Sequence, residues 1–192
     1  MSTGRIDLTN QFLIAMPGMD DGHFAGAVVY LCEHTADGAL GLVINKPVDI
    51  TLRQLFDKVG LALAAGGLGK QPVYFGGPVQ TERGFVLHEA VADDPSPYSS
   101  SLKIAGGLQM TTSKDVLEAL AQGGGPQRLL VTLGYSGWGA GQLEDELSRN
   151  GWLTVDAVPE IIFDTPVEQR WQRAMALLGF DPRMLSTEAG HG

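Results

Sequence analysis

Short apolar runs, each ended by glycine, proline or a polar turn, recur along this sequence. Runs at residues 12–16, 25–33 and 40–45 are rich in aliphatic, aromatic or β-branched side chains, which is typical of strands. The Asp37-Gly38 pair between the second and third runs predicts a hairpin turn. Three further strands are predicted, at residues 72–75, 84–88 and 128–134.

Helical spacing of apolar residues is confined to a few short segments. Residues 51–59 place leucine, phenylalanine and valine on one face, with Thr51 as the N-cap and Gly60 at the end. Residues 165–168 form a capping box ahead of a final helix that Gly179 ends. Two other helices are predicted, at residues 112–120 and 144–150. Two loops are expected. Residues 60–71 form one, in which a short helix is possible, and residues 90–101 form an exposed flap.

Strands outnumber helices in this pattern, and they do not alternate with helices in a regular βαβ repeat. The sequence therefore predicts an α+β fold built on a mixed, curled β-sheet. Since no repeat or linker divides the chain, we expect residues 1–192 to form one domain whose tail is frayed after about residue 183.

Charge and composition disfavour several classes of protein. The chain has 22 acidic and 13 basic residues and a formal net charge of -9, a field that repels a phosphate backbone, so direct nucleic-acid binding is disfavoured. One cysteine allows no intrachain disulfide. The first residues lack a secretory core and the apolar runs are too short to span a bilayer, so we expect a cytoplasmic protein without membrane contact.

Glycine recurs through residues 134–144, between a predicted strand and a predicted helix. Such a segment either cradles an anion at a helix N-terminus or forms a structural turn. Gln142 stands where a dinucleotide motif requires glycine, and acidic residues open the helix. A nucleophile elbow around Ser136 requires a glycine where Trp138 stands. The pattern therefore favours the turn.

Cysteine and histidine residues offer two further sites. Cys32 and His34 are two apart on a predicted strand and share a face, which would pair a thiol with an imidazole, although a lone cysteine there is more often a buried apolar residue. His23, His34 and His88 show no metal-ligand spacing. We assign no catalytic residue, no metal site and no cofactor.

A ligand pocket is predicted where polar residues and glycines would meet if the strand ends converge. Trp138 would supply a stacking surface in this pocket. The alternative is that these turns have only a structural role. The predicted pocket residues are Asn45, Lys46, Gly76, Gly77, Ser136, Trp138 and Gln142.

Five segments, taken together, resemble the YqgE/AlgH family over nearly the whole chain: residues 13–17, 32–34, 41–47, 76–79 and 134–144. The resemblance implies an α+β fold in which a branched mixed sheet curls into a barrel-like core with peripheral helices, in bacterial cytosolic proteins. It implies no agreed activity. The regulatory role in alginate production suggested by the family name is no evidence that a member contacts DNA.

Two hypotheses follow. The first is a non-catalytic protein with a regulatory or protein-interaction role, because a full family resemblance accompanies no complete catalytic constellation. The second is a small-molecule-binding protein or weak enzyme that uses the predicted pocket. A deep cleft at the glycine-rich segments would favour the second, and a packed junction would favour the first.

Overall fold

Ten strands in the described part of the chain form the centre of the protein. The computed structural model describes residues 7–16, 24–63, 67–90, 98–104, 106–149 and 151–179. Within these residues the strands are β1 (Gln11–Ala15), β2 (Val28–Thr35), β3 (Gly38–Val43), β4 (Pro47–Thr51), β5 (Pro72–Phe75), β6 (Val79–Glu89), β7 (Ser101–Ile104), β8 (Leu108–Thr111), β9 (Leu129–Gly139) and β10 (Trp152–Asp156).

The sheet is mixed and branches at β9. Its main path runs β10-β1-β2-β3-β9-β6-β8-β7, with neighbours antiparallel. On the side of β9 opposite β6, β5 pairs in parallel with the first half of β9, and β3 pairs with its second half. β4 extends the β5 branch. The sheet curls into a half-barrel, which confirms the predicted α+β fold with a branched, mixed sheet.

Five short α-helices lie on the periphery of this sheet within the described residues: α1 (Leu52–Lys58), α2 (Asp115–Ala121), α3 (Gln142–Ser148), α4 (Pro159–Phe163) and α5 (Arg170–Ala176). A 3₁₀ turn at Gly67–Lys70 occupies the first predicted loop. Thr51 caps α1 as predicted, through a capping box with Gln54. None of the described helices is long and apolar enough to cross a membrane.

The strands bury side chains on both faces, which explains their nearly continuous apolar sequences. Alternate residues of β2 enter two different cores: Val28 and Tyr30 pack beneath α4 and α5, whereas Val29 and Leu31 pack on the side of α3. A third core lies between α1, α2 and the strands β5, β6 and β9. The helices therefore cover apolar faces that one curled sheet presents in different directions.

The glycines at residues 76 and 77 let the chain cross over β9. Thr132 of β9 pairs with Tyr74 of β5 on one side and with Phe85 of β6 on the other, so residues 76–78 pass from one side to the other in three residues. A Cβ on Gly77 would lie 2.1 Å from the carbonyl carbon of Tyr135, and one on Gly76 would lie 2.3 Å from the Gly134 oxygen. The two backbones are in direct contact at this crossing, which leaves no space for a side chain.

Several sequence predictions are confirmed and others are wrong. The strands and the hairpin at Asp37-Gly38 form as predicted, but residues 134–139 continue β9 and do not form a turn. The capping box at residues 165–168 is wrong, since the Thr165 hydroxyl donates to the Glu160 carbonyl oxygen and no side chain caps the turn. Strands β7, β8 and β10 and helix α4 were not predicted. Most of the predicted flap and the tail after residue 183 lie outside the described residues.

Replacing Gly77 with alanine tests the crossing. Gly77 has φ 154° and no space for a Cβ, so Gly77→Ala is expected to lower the free energy of unfolding by about 3 kcal/mol. Gly84→Ala is the matched control, because a Cβ on Gly84 meets no atom within 4 Å, and its effect is expected to stay below about 1 kcal/mol. Urea denaturation measures both. Equal losses in the two variants would contradict the close approach.

Candidate functional site

Two predicted pocket segments converge beside the crossing. The Phe75 amide donates to the Lys46 carbonyl oxygen over 2.7 Å, and the Val43 amide donates to the Gly76 carbonyl oxygen over 2.9 Å. The ends of β3 and β5 therefore meet, as the pocket prediction required. Backbone hydrogen bonds join them at this point.

The side chains of Asn45 and Lys46 are engaged with the segment that precedes β2. Asn45 accepts from the Val28 amide and donates to the Gly26 carbonyl oxygen, each over 2.9 Å. The Lys46 ammonium donates to the Ala25 carbonyl oxygen over 2.7 Å. These bonds hold the entry of β2 against the end of β3, so both polar groups have a structural role.

Ser136 lies on β9 directly beneath the crossing. It is completely buried, and its hydroxyl donates to the Gly76 carbonyl oxygen over 3.0 Å. The same oxygen accepts the Val43 amide, and the Gly76 amide donates to the Leu133 carbonyl oxygen. Ser136 thus fixes the crossing segment on β9. Both hydrogen-bonding groups of the Gly76 backbone are satisfied within the protein.

Trp138 and Gln142 meet at Glu146 of α3. One carboxylate oxygen of Glu146 accepts the indole N–H of Trp138 over 3.0 Å and that of Trp152 over 2.9 Å. The other accepts the Gln142 side-chain amide over 3.0 Å, while the Gln142 side-chain oxygen accepts the Gly139 amide over 3.0 Å. Phe24 contacts both indole rings. The carboxylate attaches α3 to strands β9 and β10.

The seven predicted pocket residues therefore lie in three connected groups: the strand-end pair Asn45 and Lys46, the crossing of Gly76, Gly77 and Ser136, and the Glu146 cluster with Trp138 and Gln142. A depression of about 430 Å³ beside Trp138 is lined by none of the other six. The Gly139 amide already donates to the side-chain oxygen of Gln142, so it does not face a bound anion. The arrangement is a packed junction.

Cys32 and His34 have separate environments. Cys32 is buried at a β-bulge of β2, and its thiol contacts the Tyr30 carbonyl oxygen at 3.8 Å. Burial, and then the charge of Glu33, hold the pKa of the thiol far above its usual range, so it is protonated at neutral pH. His34 accepts the Leu8 amide at Nδ1 over 3.0 Å, and its Nε2 donates to the Glu144 carboxylate over 3.0 Å. Its contacts are those of a structural residue joining β2 to α3.

A buried polar chain on β6, β7 and β8 was missed by sequence reasoning. His88 Nδ1 lies 2.8 Å from the Glu89 carbonyl oxygen, which only accepts, so Nδ1 carries the proton. In the neutral ring Nε2 then accepts the Thr111 hydroxyl at 2.7 Å, and Ser101 lies 2.6 Å from that hydroxyl. Burial lowers the pKa of His88. No sequence signal joins residues this far apart.

No cluster of three or more histidine, cysteine, aspartate or glutamate side chains suited to a metal ion occurs within the described part of the chain. His88 donates to a carbonyl oxygen and His34 to a carboxylate, as described above. His23, which was the third histidine considered, lies outside the described residues.

Comparison with known proteins places these features in a family. The AlgH-like family model matches residues 12–183. A UPF0301 protein from Ralstonia nicotianae is 67% identical over 186 residues, covering 97% of this chain and 96% of that protein. A UPF0301 protein from Cupriavidus pinatubonensis is also 67% identical over 190 residues, with 99% and 98% coverage. These names specify no substrate and no partner.

Solved structures give the same result for the fold. The solution structure of the AlgH protein from Pseudomonas aeruginosa matches with a TM-score of 0.78 and 46% identity, covering 97% of this chain and 96% of that chain. A crystal structure of a Corynebacterium diphtheriae protein matches with a TM-score of 0.74 and 97% and 94% coverage, at 18% identity. At that identity the second match concerns the fold alone.

The Glu146 cluster makes a testable contribution to stability. Glu146→Ala removes the acceptor of two buried indole N–H groups, so we expect the free energy of unfolding to fall by about 3 kcal/mol. Glu146→Gln keeps one carbonyl oxygen for the indoles, and we expect it to lose about half as much. Urea denaturation followed by circular dichroism measures both. Equal losses would show that the indoles do not depend on this acceptor.

Protonation of His88 provides a second test. Because burial lowers its pKa in the folded state, the unfolded chain binds more protons below about pH 6.5, the usual histidine pKa. The His88 contribution to the free energy of unfolding is therefore complete above that pH and falls as the pH drops, by at most about 1.4 kcal/mol per pH unit. His88→Gln should have a shallower pH dependence between about pH 7 and 5. Parallel curves for the two proteins would exclude this linkage.

Proposed function

Because the chain belongs to the AlgH-like family, we propose that it acts in the bacterial cytoplasm by binding another protein, in a regulatory role without catalysis. The observation that carries the proposal is the packed junction at the glycine-rich segments. The side chains of the predicted pocket residues form hydrogen bonds there with other parts of the protein. A packed junction favours the partner hypothesis over a ligand cleft at the same position.

The outer edge of β10 is the surface that suits such a partner. The backbone hydrogen bonds from Met16 to Gly151 and from Ala157 to Asn10 fix which peptide groups of β10 point toward β1. By alternation those of Leu153 and Val155 also point toward β1, and those of Trp152, Thr154 and Asp156 point away. No described strand pairs with that outer edge.

An extended segment of a partner would add to β10 as a further strand. Main-chain hydrogen bonds give affinity in this mode, and neighbouring side chains give specificity. Leu153 and Val155 are partly exposed beside the edge, and they offer apolar contact. The formal net charge of -9 favours a partner segment that carries basic residues. The same charge disfavours direct binding of nucleic acid.

Thr154→Pro tests the edge. Proline at this position removes an N–H that points away from β1, so the β1–β10 pairing remains while a new strand is blocked. The tagged protein is used to capture a partner from native lysate, and the affinity of the purified pair is then measured by calorimetry. We expect Thr154→Pro to weaken binding by at least about tenfold, since a main-chain hydrogen bond is lost and the ring obstructs pairing.

Thr154→Val is the matched control. It removes the same hydroxyl but keeps the N–H, so binding should stay within about twofold of the unchanged protein. Circular dichroism and thermal unfolding confirm that both variants fold. Failure to capture a reproducible partner would contradict the proposed function. A partner that binds the proline variant normally would contradict the β10 edge as the docking surface.

A further inference from the structure

A second cavity lies apart from the predicted pocket. It has a volume of about 430 Å³ and is enclosed by β5, the start of β9 and the connection from α4 to α5. None of the seven predicted pocket residues and no residue of β10 lines it. Its volume lies in the range of small-molecule sites, which is about 300–1,000 Å³.

Arg170 is a buried cation in the wall of this cavity. The residue is only 6% exposed. Its Nε donates to the Thr165 carbonyl oxygen over 3.0 Å, and its Nη1 donates to the Ile44 carbonyl oxygen. The ring of Tyr74 lies below the guanidinium, with 5.0 Å between the guanidinium carbon and the ring centroid. These contacts hold the plane of the guanidinium in one orientation.

No carboxylate of the described residues forms an ion pair with Arg170. Its side chain also forms a hydrogen bond with Tyr74, and Glu168 acts on it at longer range. A buried charge normally has a paired counter-charge, because its removal from water is costly. Arg170 thus brings to the cavity wall a positive charge that no described carboxylate pairs with, and N–H groups beyond those bonded to Thr165, Ile44 and Tyr74.

The other charges of the wall compensate each other. Arg128 donates to Asp164 and, over 3.0 Å, to Glu89, and it lies 5.4 Å from the centroid of the Phe163 ring. Asp164 is the carboxylate in the lining, and its charge is taken up by Arg128. Among the charged residues of the lining, Arg170 is therefore the one that has no carboxylate partner in the described part of the chain. Phe163 and Val167 give the lining apolar surface, and Gln71, Gln127 and Thr165 give it polar surface.

We propose that this cavity binds a small organic molecule through one carboxylate group, which Arg170 holds at the cavity wall. A monoanion matches the one cation of the lining that has no described carboxylate partner, and the planar guanidinium suits a planar carboxylate. A dianionic phosphate monoester would bring a second charge for which the wall has no partner, in a protein of formal net charge -9. Phe163 and Val167 offer apolar contact to an aromatic or aliphatic body that carries the carboxylate.

The test uses benzoate as the probe and benzamide as its neutral counterpart of the same shape. Each is titrated into the full-length protein and followed by ¹H–¹⁵N correlation spectra, including the arginine Nε–H region. We expect saturable benzoate shifts at Arg170 Nε and at the amides of residues 128–130, 165 and 167. Benzamide should bind at least about tenfold more weakly, since it lacks the charge that Arg170 pairs with.

Two pairs of variants separate the site from a general charge effect. Arg170→Gln should abolish saturable benzoate binding, whereas Arg173→Gln removes the same charge from an exposed position of α5 and should leave it unchanged. If Arg170→Gln does not fold, Gln127→Glu adds a negative charge to the cavity lining without removing an Arg170 contact, and should weaken benzoate by at least about fivefold. Gln122→Glu, outside the lining, is its control.

Several outcomes would overturn the proposal. Equal affinities for benzoate and benzamide would show that the carboxylate charge does not contribute to binding. Shifts located away from the cavity would show that benzoate binds elsewhere. Normal benzoate binding by folded Arg170→Gln or by Gln127→Glu would show that Arg170 does not hold the carboxylate. Tighter binding of inorganic phosphate than of benzoate would show that the site is not built for a monocarboxylate. Absence of saturable benzoate binding by the unchanged protein would also reject it.

Discussion

The crossing of residues 76–78 over β9 is the constraint on which the sheet depends. β9 pairs with β6 on one side and with both β5 and β3 on the other, so the chain has to pass over it to connect β5 with β6. Backbone contact at Gly76, Gly77 and Gly134 makes this passage short enough. The branch then separates the apolar faces that three groups of helices cover.

Three polar side chains near the crossing and α3 join secondary-structure elements. Asn45 holds the entry of β2, Ser136 holds the crossing, and Glu146 attaches α3 to two tryptophans. Buried polar groups require partners, and in these three cases other parts of the chain supply them. Arg170 differs, because its carbonyl partners do not neutralise its charge. That difference, more than the presence of polar residues, distinguishes a structural cluster from a ligand site.

Much of the architecture could be predicted from local pattern. The apolar runs of β1, β2, β3 and β5 and the capping box of α1 are legible because their signals are confined to a few adjacent residues. β8 was missed because its Leu-Gln-Met-Thr sequence includes the polar residues Gln109 and Thr111, which tertiary packing buries. The predicted capping box at Thr165 does not form, because its hydroxyl donates to the Glu160 carbonyl oxygen. Four or five residues are too few for periodicity to overcome such context.

The sequence alone determined the α+β class, the hairpin, the short helices and the family, since these depend on neighbouring residues or on the order of motifs. The site was decided only by the tertiary structure. Arg170 reaches the Ile44 carbonyl oxygen across 126 positions of the chain, and Gly76 meets Ser136 across 60. Both contacts exist because β9 branches and the chain crosses it. Local propensity carries no information about such a partner, because the partner is supplied by the path of the whole sheet.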